Sequence, residues 1–121
     1  MWIFTNIGFF SVVEKDGKGT LTVRARIKED IEALRDKYFP AAKIVATKSS
    51  DYPFRIIVDK GSVAEAMKDL TKNIDYTNFK DEVMRKQGID REEAYMNVWV
   101  TMRAFSAGTR RPSRSDWIFD E

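Results

Sequence analysis

Two segments of the chain alternate apolar and polar residues, and this alternation predicts two strands of a sheet. Residues 21–27 read LTVRARI and residues 54–58 read FRIIV. Because successive side chains of a strand point to opposite faces, alternate apolar residues are expected to face a core, namely Leu21, Val23, Ala25, Ile27, Phe54, Ile56 and Val58. The same rule puts three arginines, Arg24, Arg26 and Arg55, on the other face. The pattern therefore predicts a sheet with one apolar face and one arginine-bearing face.

Periodicity and turn residues predict the other elements. The expected strands span residues 2–14, 20–27, 43–47 and 54–59. One expected helix spans residues 28–39, and three further helices are expected to begin at caps formed by Ser62, Asp75 and Asp90. Asp16-Gly17 between two β-rich segments predicts a hairpin, and Gly88 is expected to end the third helix. The order β-β-α-β-β-α-α-α predicts an α+β fold, in which a four-stranded, largely antiparallel sheet carries helices on one face.

The chain is expected to consist of a folded part and a tail. Residues 1–106 are predicted to form a single α+β domain, and the helical spacing of apolar residues around Trp99 predicts that Trp99 lies in its core. From residue 107 the sequence is rich in Gly, Ser, Pro and Arg, which is typical of a linker. Residues 107–121 are therefore predicted to be a basic linker that ends in an apolar C-terminal tail.

Composition excludes several classes of chemistry. The 121 residues include no cysteine and no histidine, which excludes disulfides, thiolate nucleophiles, imidazole acid–base chemistry and the usual zinc or haem sites. The net charge is only +2, so any basic patch must be local. Neither a signal peptide nor a membrane span is expected. The sequence predicts a soluble, cytoplasmic protein with no cofactor, no metal and no membrane partner.

Four motifs together resemble those of a known group of proteins. They are MWIFT at residues 1–5, GFFSVV at 8–13, DYPFR at 51–55 and IDY at 74–76. The pattern is similar to that of a family of short uncharacterised bacterial proteins, over roughly residues 1–105. The resemblance implies no activity, cofactor or partner.

The arginine-bearing face is the first candidate site. Guanidinium groups suit phosphate and carboxylate, and Phe9 or Phe10, depending on the strand register, is expected on the same face and would stack a base. The alternative is that these arginines form ion pairs with Glu14, Asp51 or Asp59 on neighbouring strands. The sequence leaves both interpretations open.

Two shorter motifs supply further candidate ligand-binding residues. Tyr52 follows a turn-favouring aspartate and precedes a proline, so it is expected either at the edge of a pocket or packed where a strand begins. Tyr76, Asn78 and Lys80 have no necessary structural role in the sequence pattern, and one interpretation places them in a polar site near the junction of two helices. The alternative for these three residues is an exposed helix surface with one packed tyrosine.

An enzymatic function is poorly supported. The paired acids of the sequence are neighbours on predicted helices, where adjacent side chains do not face each other, and catalysis by Asp, Glu, Lys or Tyr remains a weaker interpretation. The sequence predicts instead a small non-enzymatic binding module for an anionic ligand or nucleic acid, acting through the arginine-bearing face. The alternative is a protein–protein interaction or inhibitor protein that uses its helices and the tail residues Trp117, Ile118 and Phe119, with a protein partner or a second copy.

Overall fold

The computed structural model describes residues 1–108 and has an α+β fold. Its strands are β1 (Trp2–Thr5), β2 (Gly8–Val13), β3 (Thr20–Ala25), β4 (Val45–Ala46) and β5 (Phe54–Asp59). Its helices are α1 (Lys28–Tyr38), α2 (Lys60–Lys72), α3 (Phe79–Gln87) and α4 (Ile89–Ser106). Most of the linker and the whole triplet Trp117-Ile118-Phe119 lie outside the described residues.

The prediction of four strands is wrong, because the first predicted strand is a hairpin. Asn6 and Ile7 form a tight turn, and β1 then pairs antiparallel with β2. The Thr5 hydroxyl stabilises this turn, since its oxygen accepts hydrogen bonds from the amides of Ile7 (3.2 Å) and Gly8 (3.0 Å). The described chain therefore has five strands in one antiparallel sheet, in the order β1-β2-β3-β5-β4.

One face of the sheet carries the core. Helices α1 and α2 both pack on this face, and the core residues of the sheet alternate along their strands as the sequence predicts. The buried core residues are Phe10, Val12, Val23, Ala25, Ile31, Leu34, Phe39, Ile56, Val63 and Ala66. Ile27 was expected to join them, but β3 ends at Ala25 and Ile27 is exposed.

Three helix starts differ from the sequence prediction. Helix α2 begins before Ser62, because Asp59 is its N-cap and accepts a hydrogen bond of 3.1 Å from the Ser62 amide. Helix α3 is capped by Asn78 rather than Asp75, through a 2.9 Å hydrogen bond from the Asp81 amide to the Asn78 side chain. Helix α4 follows directly from Gly88 with no side-chain cap. Gly88 does end α3, as predicted.

The described chain forms two compact units, residues 1–77 and a second unit that begins at Asn78 and contains α3 and α4. The prediction that Trp99 lies in a core is wrong, because 56% of Trp99 is exposed. Helical spacing shows which residues share a stripe, but it does not show that another element covers the stripe. Within residues 1–108, no helix combines the length and the apolar character needed to cross a membrane.

Candidate functional site

The strand register confirms that Arg24 and Arg55, two of the three predicted arginines, share a sheet face. Arg24 on β3 pairs with Arg55 on β5 and, on its other side, with Ser11 on β2. Ser11 in turn pairs with Trp2 on β1. Directly paired residues of neighbouring strands point to the same face, so Trp2, Ser11, Arg24 and Arg55 form one row across the sheet. This row lies on the face opposite to α1 and α2.

Aromatic side chains occupy the end of the same face. Phe4 pairs with Phe9, and their rings stack with centroids 4.6 Å apart. Trp2 meets Phe9 edge-on, with centroids 6.4 Å apart. The register thus assigns Phe9 to the arginine-bearing face, while Phe10 points to the core and is fully buried. Trp2 and Phe4 are 41% and 36% exposed, so the face presents accessible aromatic surface beside the arginines.

Tyr52 contacts all three arginines. Its side chain is buried in the loop before β5, and the guanidinium carbons of Arg24 and Arg26 lie 4.4 Å and 4.9 Å from the centre of its ring. Both distances are within the range of a cation–π interaction. The Tyr52 carbonyl also accepts a 3.3 Å hydrogen bond from Arg55 Nη2. Tyr52 is therefore packed where a strand begins, which is the second of the two positions that the sequence left open. Its contacts hold the three arginines together.

Further contacts of this arginine–tyrosine cluster involve hydroxyl groups and a carboxylate. Arg24 Nη2 donates a 2.6 Å hydrogen bond to Ser11 Oγ, and Arg55 Nη2 donates one of 2.8 Å to Ser50 Oγ. Arg26 forms an ion pair with Asp51, whose Oδ1 lies 3.1 Å from Arg26 Nη2. The predicted pairing of an arginine with Asp51 is thus confirmed for Arg26.

Arg55 makes no ion pair within residues 1–108. Its Nε is buried and donates no hydrogen bond to any described residue. Such an unsatisfied donor is rare in folded proteins and costs about 1–3 kcal/mol. Arg55 also lies directly opposite Arg24, and like charges in this position repel each other. An anion at this point of the sheet would relieve both penalties.

The three arginines differ in how far solvent reaches them. Arg24 is buried, with 5% of its surface exposed, whereas the side chain of Arg26 is 41% exposed and Arg55 is half-buried. An incoming ligand would therefore meet Arg26 and the edge of Arg55 first. The cluster offers guanidinium and hydroxyl donors, which suits binding of an anion more than acid–base chemistry. Within residues 1–108, no group of three or more acidic side chains is arranged to hold a metal ion.

The other predicted ligand-binding residues lie elsewhere in the chain. Tyr76 is half-buried in the segment between α2 and α3. Lys80 is exposed in the first turn of α3 and lines a groove between α3 and α4. The two belong to different compact units, because the second unit begins at Asn78. Their roles in ligand binding remain predictions.

Sequence reasoning missed four residues of this site. Ser11 and Ser50 accept hydrogen bonds from the arginines, and Trp2 and Phe4 supply the exposed aromatic surface. The register of the hairpin between β1 and β2 determines the sheet face on which Trp2 and Phe4 lie. Because the turn at Asn6 was not predicted, the positions of these two side chains were not predicted either. Residues 2–5 read WIFT and do not alternate apolar and polar residues, so no strand pattern separates them from the segment that follows.

A comparison with protein-family models, curated proteins and solved structures found no match. The resemblance to a family of short bacterial proteins therefore remains a prediction. No relative supplies a function for this site, and any proposal has to be argued from the side chains themselves.

Proposed function

We propose that the protein is a small non-enzymatic module that binds single-stranded nucleic acid on its arginine-bearing sheet face. The observation that supports this best is the strand register, which brings three aromatic and two arginine side chains to the face opposite to α1 and α2. Tyr52 adds Arg26 to the same group. Stacking surfaces beside cations are what a single strand requires, since its bases stack on rings and its phosphates bind cations.

The exposed side chains have separate roles in this proposal. Trp2 and Phe4 stack bases, because their rings are accessible. Arg26 and Arg55 contact phosphates, because the planar guanidinium group forms bidentate hydrogen bonds with phosphate oxygens. Arg24 is a positioning residue, since it is buried and holds Ser11 and Tyr52 in place.

The ion pair between Arg26 and Asp51 does not oppose this function strongly. The Arg26 side chain is 41% exposed, and an ion pair of this kind is worth at most about 1 kcal/mol. The free energy lost when a phosphate replaces Asp51 as the partner of Arg26 is therefore small. The positive charges of Arg24 and Arg55, which lie opposite each other on neighbouring strands, add to the attraction for an anion.

Fluorescence anisotropy with labelled single-stranded DNA and RNA tests this function. We expect binding that weakens with rising salt, because phosphate contacts release counterions. Arg26→Ala should weaken binding and lower the slope of log Kd against log salt by about one, and Trp2→Ala should weaken binding with little change in slope. Lys68→Ala is the matched control, because it removes one charge from an exposed position on α2.

The same assay distinguishes a smaller anionic ligand from nucleic acid. If pyrophosphate competes with the oligonucleotide and Trp2→Ala has no effect, the ligand is a small anion held by the arginines alone. Absence of binding to any of these probes at low salt would reject the proposal. A cytoplasmic location belongs to the same proposal, since the chain has no cysteine that an oxidising compartment would pair.

A protein-interaction function is the second candidate, and the surface of α4 favours it. This helix exposes large apolar residues on several sides, including Val98, Val100, Met102 and Phe105. Exposed apolar patches of this kind mark interaction sites. Measurement of the molar mass of the protein in solution would show whether a second copy is the partner.

A further inference from the structure

Helices α3 and α4 enclose an apolar groove in the second unit. The groove has a volume of about 350 Å³, and its apolar lining comes from Phe79, Val83, Tyr95, Met96 and Trp99. The rings of Phe79 and Tyr95 stack with centroids 5.8 Å apart and form one wall. Trp99 is more than half exposed where it lines the groove. The groove therefore offers aromatic surface to an apolar ligand.

The groove side of α4 continues to the end of the helix. Met102, Arg103 and Ser106 follow Trp99 at spacings of three, four and seven residues, which places them on the same side of a helix. Met102 is 58% exposed. Met102 thus extends the apolar surface of the groove by one helical turn towards the end of α4.

We propose that this groove binds the C-terminal residues 117–119 of the same chain. The triplet Trp117-Ile118-Phe119 is the apolar segment of the sequence that follows α4. Eight residues, 109–116, separate it from the last described residue. An extended segment of this length spans about 26–29 Å, while Glu92, at the far end of the groove, lies about 24 Å back along the helix from Gly108. The tether is therefore long enough to reach back along α4 as far as Glu92.

Helix α4 is followed by a glycine in the left-handed conformation. Gly108 has a φ of +74°, in the left-handed region, and its amide donates a 3.2 Å hydrogen bond to the carbonyl of Phe105. A left-handed glycine in this position ends a helix and turns the chain that follows.

The cations beside the groove complement the acidic residues that flank the triplet. Asp116, Asp120 and Glu121 flank the apolar triplet. Lys80 lines the groove, the guanidinium of Arg91 lies 5.8 Å from the Tyr95 ring, and that of Arg103 lies 5.5 Å from the Trp99 ring. Glu92 also lines the groove and would repel an acid placed beside it. The cations therefore favour an orientation with the tail acids near Lys80, Arg91 and Arg103.

Tethering favours the chain's own tail over that of a second copy. A short flexible linker gives a local concentration in the millimolar range, which exceeds the concentration of a second molecule in dilute solution. The occupant is thus the tail of the same molecule, and exchange of tails between two molecules is the competing arrangement.

Cross-linking of the full-length chain tests the proposal, because the chain contains no cysteine that would interfere. Met96→Cys in the groove is combined with Ser115→Cys in the tail, and a short bismaleimide is added to micromolar protein. Ala94→Cys with Ser115→Cys is the matched control, since Ala94 is exposed and lies about 200° around the helix from Met96. Intact mass separates cross-linked monomer from covalent dimer.

We expect cross-linked monomer to form about tenfold faster with the Met96→Cys pair than with the control pair, and independently of protein concentration. Adding Trp117→Ala and Phe119→Ala should remove this difference. Equal rates for the two pairs would overturn the proposal, and covalent dimer as the main product would overturn it in favour of tail exchange. The NMR signal of the Trp99 indole in the otherwise unmodified chain provides a second readout, which should shift on Trp117→Ala and Phe119→Ala; an unchanged signal would contradict docking.

Discussion

The guanidinium carbon of Arg24 lies 4.4 Å from the centre of the Tyr52 ring, and both residues are buried. Arg24 belongs to the middle of the sheet, while Tyr52 comes from a loop 28 residues further along the chain. Their contact holds this loop against the sheet face. The same ring also interacts favourably with a second positive charge, since the guanidinium carbon of Arg26 lies 4.9 Å from its centre.

Truncation of Tyr52 should destabilise the protein strongly. Tyr52→Ala removes a fully buried ring and leaves two arginines without it, so we expect the free energy of unfolding to fall by about 3–5 kcal/mol. Tyr52→Phe keeps the ring and should retain most of the stability. Urea denaturation of both variants measures the difference. Equal stability of Tyr52→Ala and the unmodified protein would contradict the packing of Tyr52.

Arg24 and Arg26 should differ in their effect on stability. Arg24→Ala removes a buried side chain and leaves the buried Ser11 hydroxyl without its 2.6 Å donor, so a loss of about 1–3 kcal/mol is expected. Arg26→Ala removes an exposed ion pair and should cost less than about 1 kcal/mol. The difference follows from the burial of Arg24, whereas the side chain of Arg26 is 41% exposed. A larger loss of unfolding free energy in Arg26→Ala than in Arg24→Ala, measured by denaturation, would refute this difference between the two residues.

Gly8 should not tolerate a side chain. A Cβ atom at this position would lie 2.6 Å from Cγ and 2.7 Å from Cβ of Asp30, which is itself buried and accepts a 3.1 Å hydrogen bond from the Phe9 amide. We expect Gly8→Ala to cost about 1–3 kcal/mol from overpacking, in addition to backbone strain. Gly19→Ala is the control, since Gly19 also has a positive φ but has open space around it. Thermal unfolding should show the larger loss for Gly8→Ala, and equal losses would argue against the close approach of Asp30.

The hydrogen bond between Tyr38 and Asp69 should make stability depend on alkaline pH. Burial, the 2.8 Å hydrogen bond to Asp69 Oδ2 and the negative charge of Asp69 raise the pKa of Tyr38 to about 12. The unfolded chain has the ordinary tyrosine pKa of about 10. Because the pKa is higher in the folded state, the contribution of Tyr38 is fully present below about pH 10 and is lost as the pH rises through about 12.

A comparison with Tyr38→Phe measures this contribution. The difference in unfolding free energy between the two proteins should be constant up to about pH 10 and should then shrink. A difference that stays constant as the pH approaches 12 would contradict the raised pKa of Tyr38.

The sequence predicted the parts of the fold that local patterns determine. The bounds of β5, the start of α1 at Lys28 and the hairpin at Asp16-Gly17 follow from alternation, helical periodicity and turn residues. The β1–β2 turn was missed because it contains Ile7, an unusual turn residue, and is held by the side chain of Thr5. Short-range patterns do not reveal such a contact.

The candidate site was predictable in its composition but not in its accessibility. Alternation placed Arg24, Arg26 and Arg55 on one face, and the register confirms this for the paired Arg24 and Arg55. The burial of Arg24 depends on Tyr52, and the pairing of Arg26 depends on Asp51. Both contacts join positions that are distant in sequence, so only the folded chain reveals them.

An NMR titration of the isotope-labelled protein with a short single-stranded oligonucleotide tests the central claim most directly. The amides of β1 and β2, together with those of residues 24–26 and 50–55, should shift, because they surround the aromatic and arginine side chains of the sheet face. The exposed amides of α2, on the opposite face of the same sheet, should not shift. Spectra that do not change at low salt, or changes confined to α3 and α4, would contradict nucleic-acid binding at the arginine-bearing face.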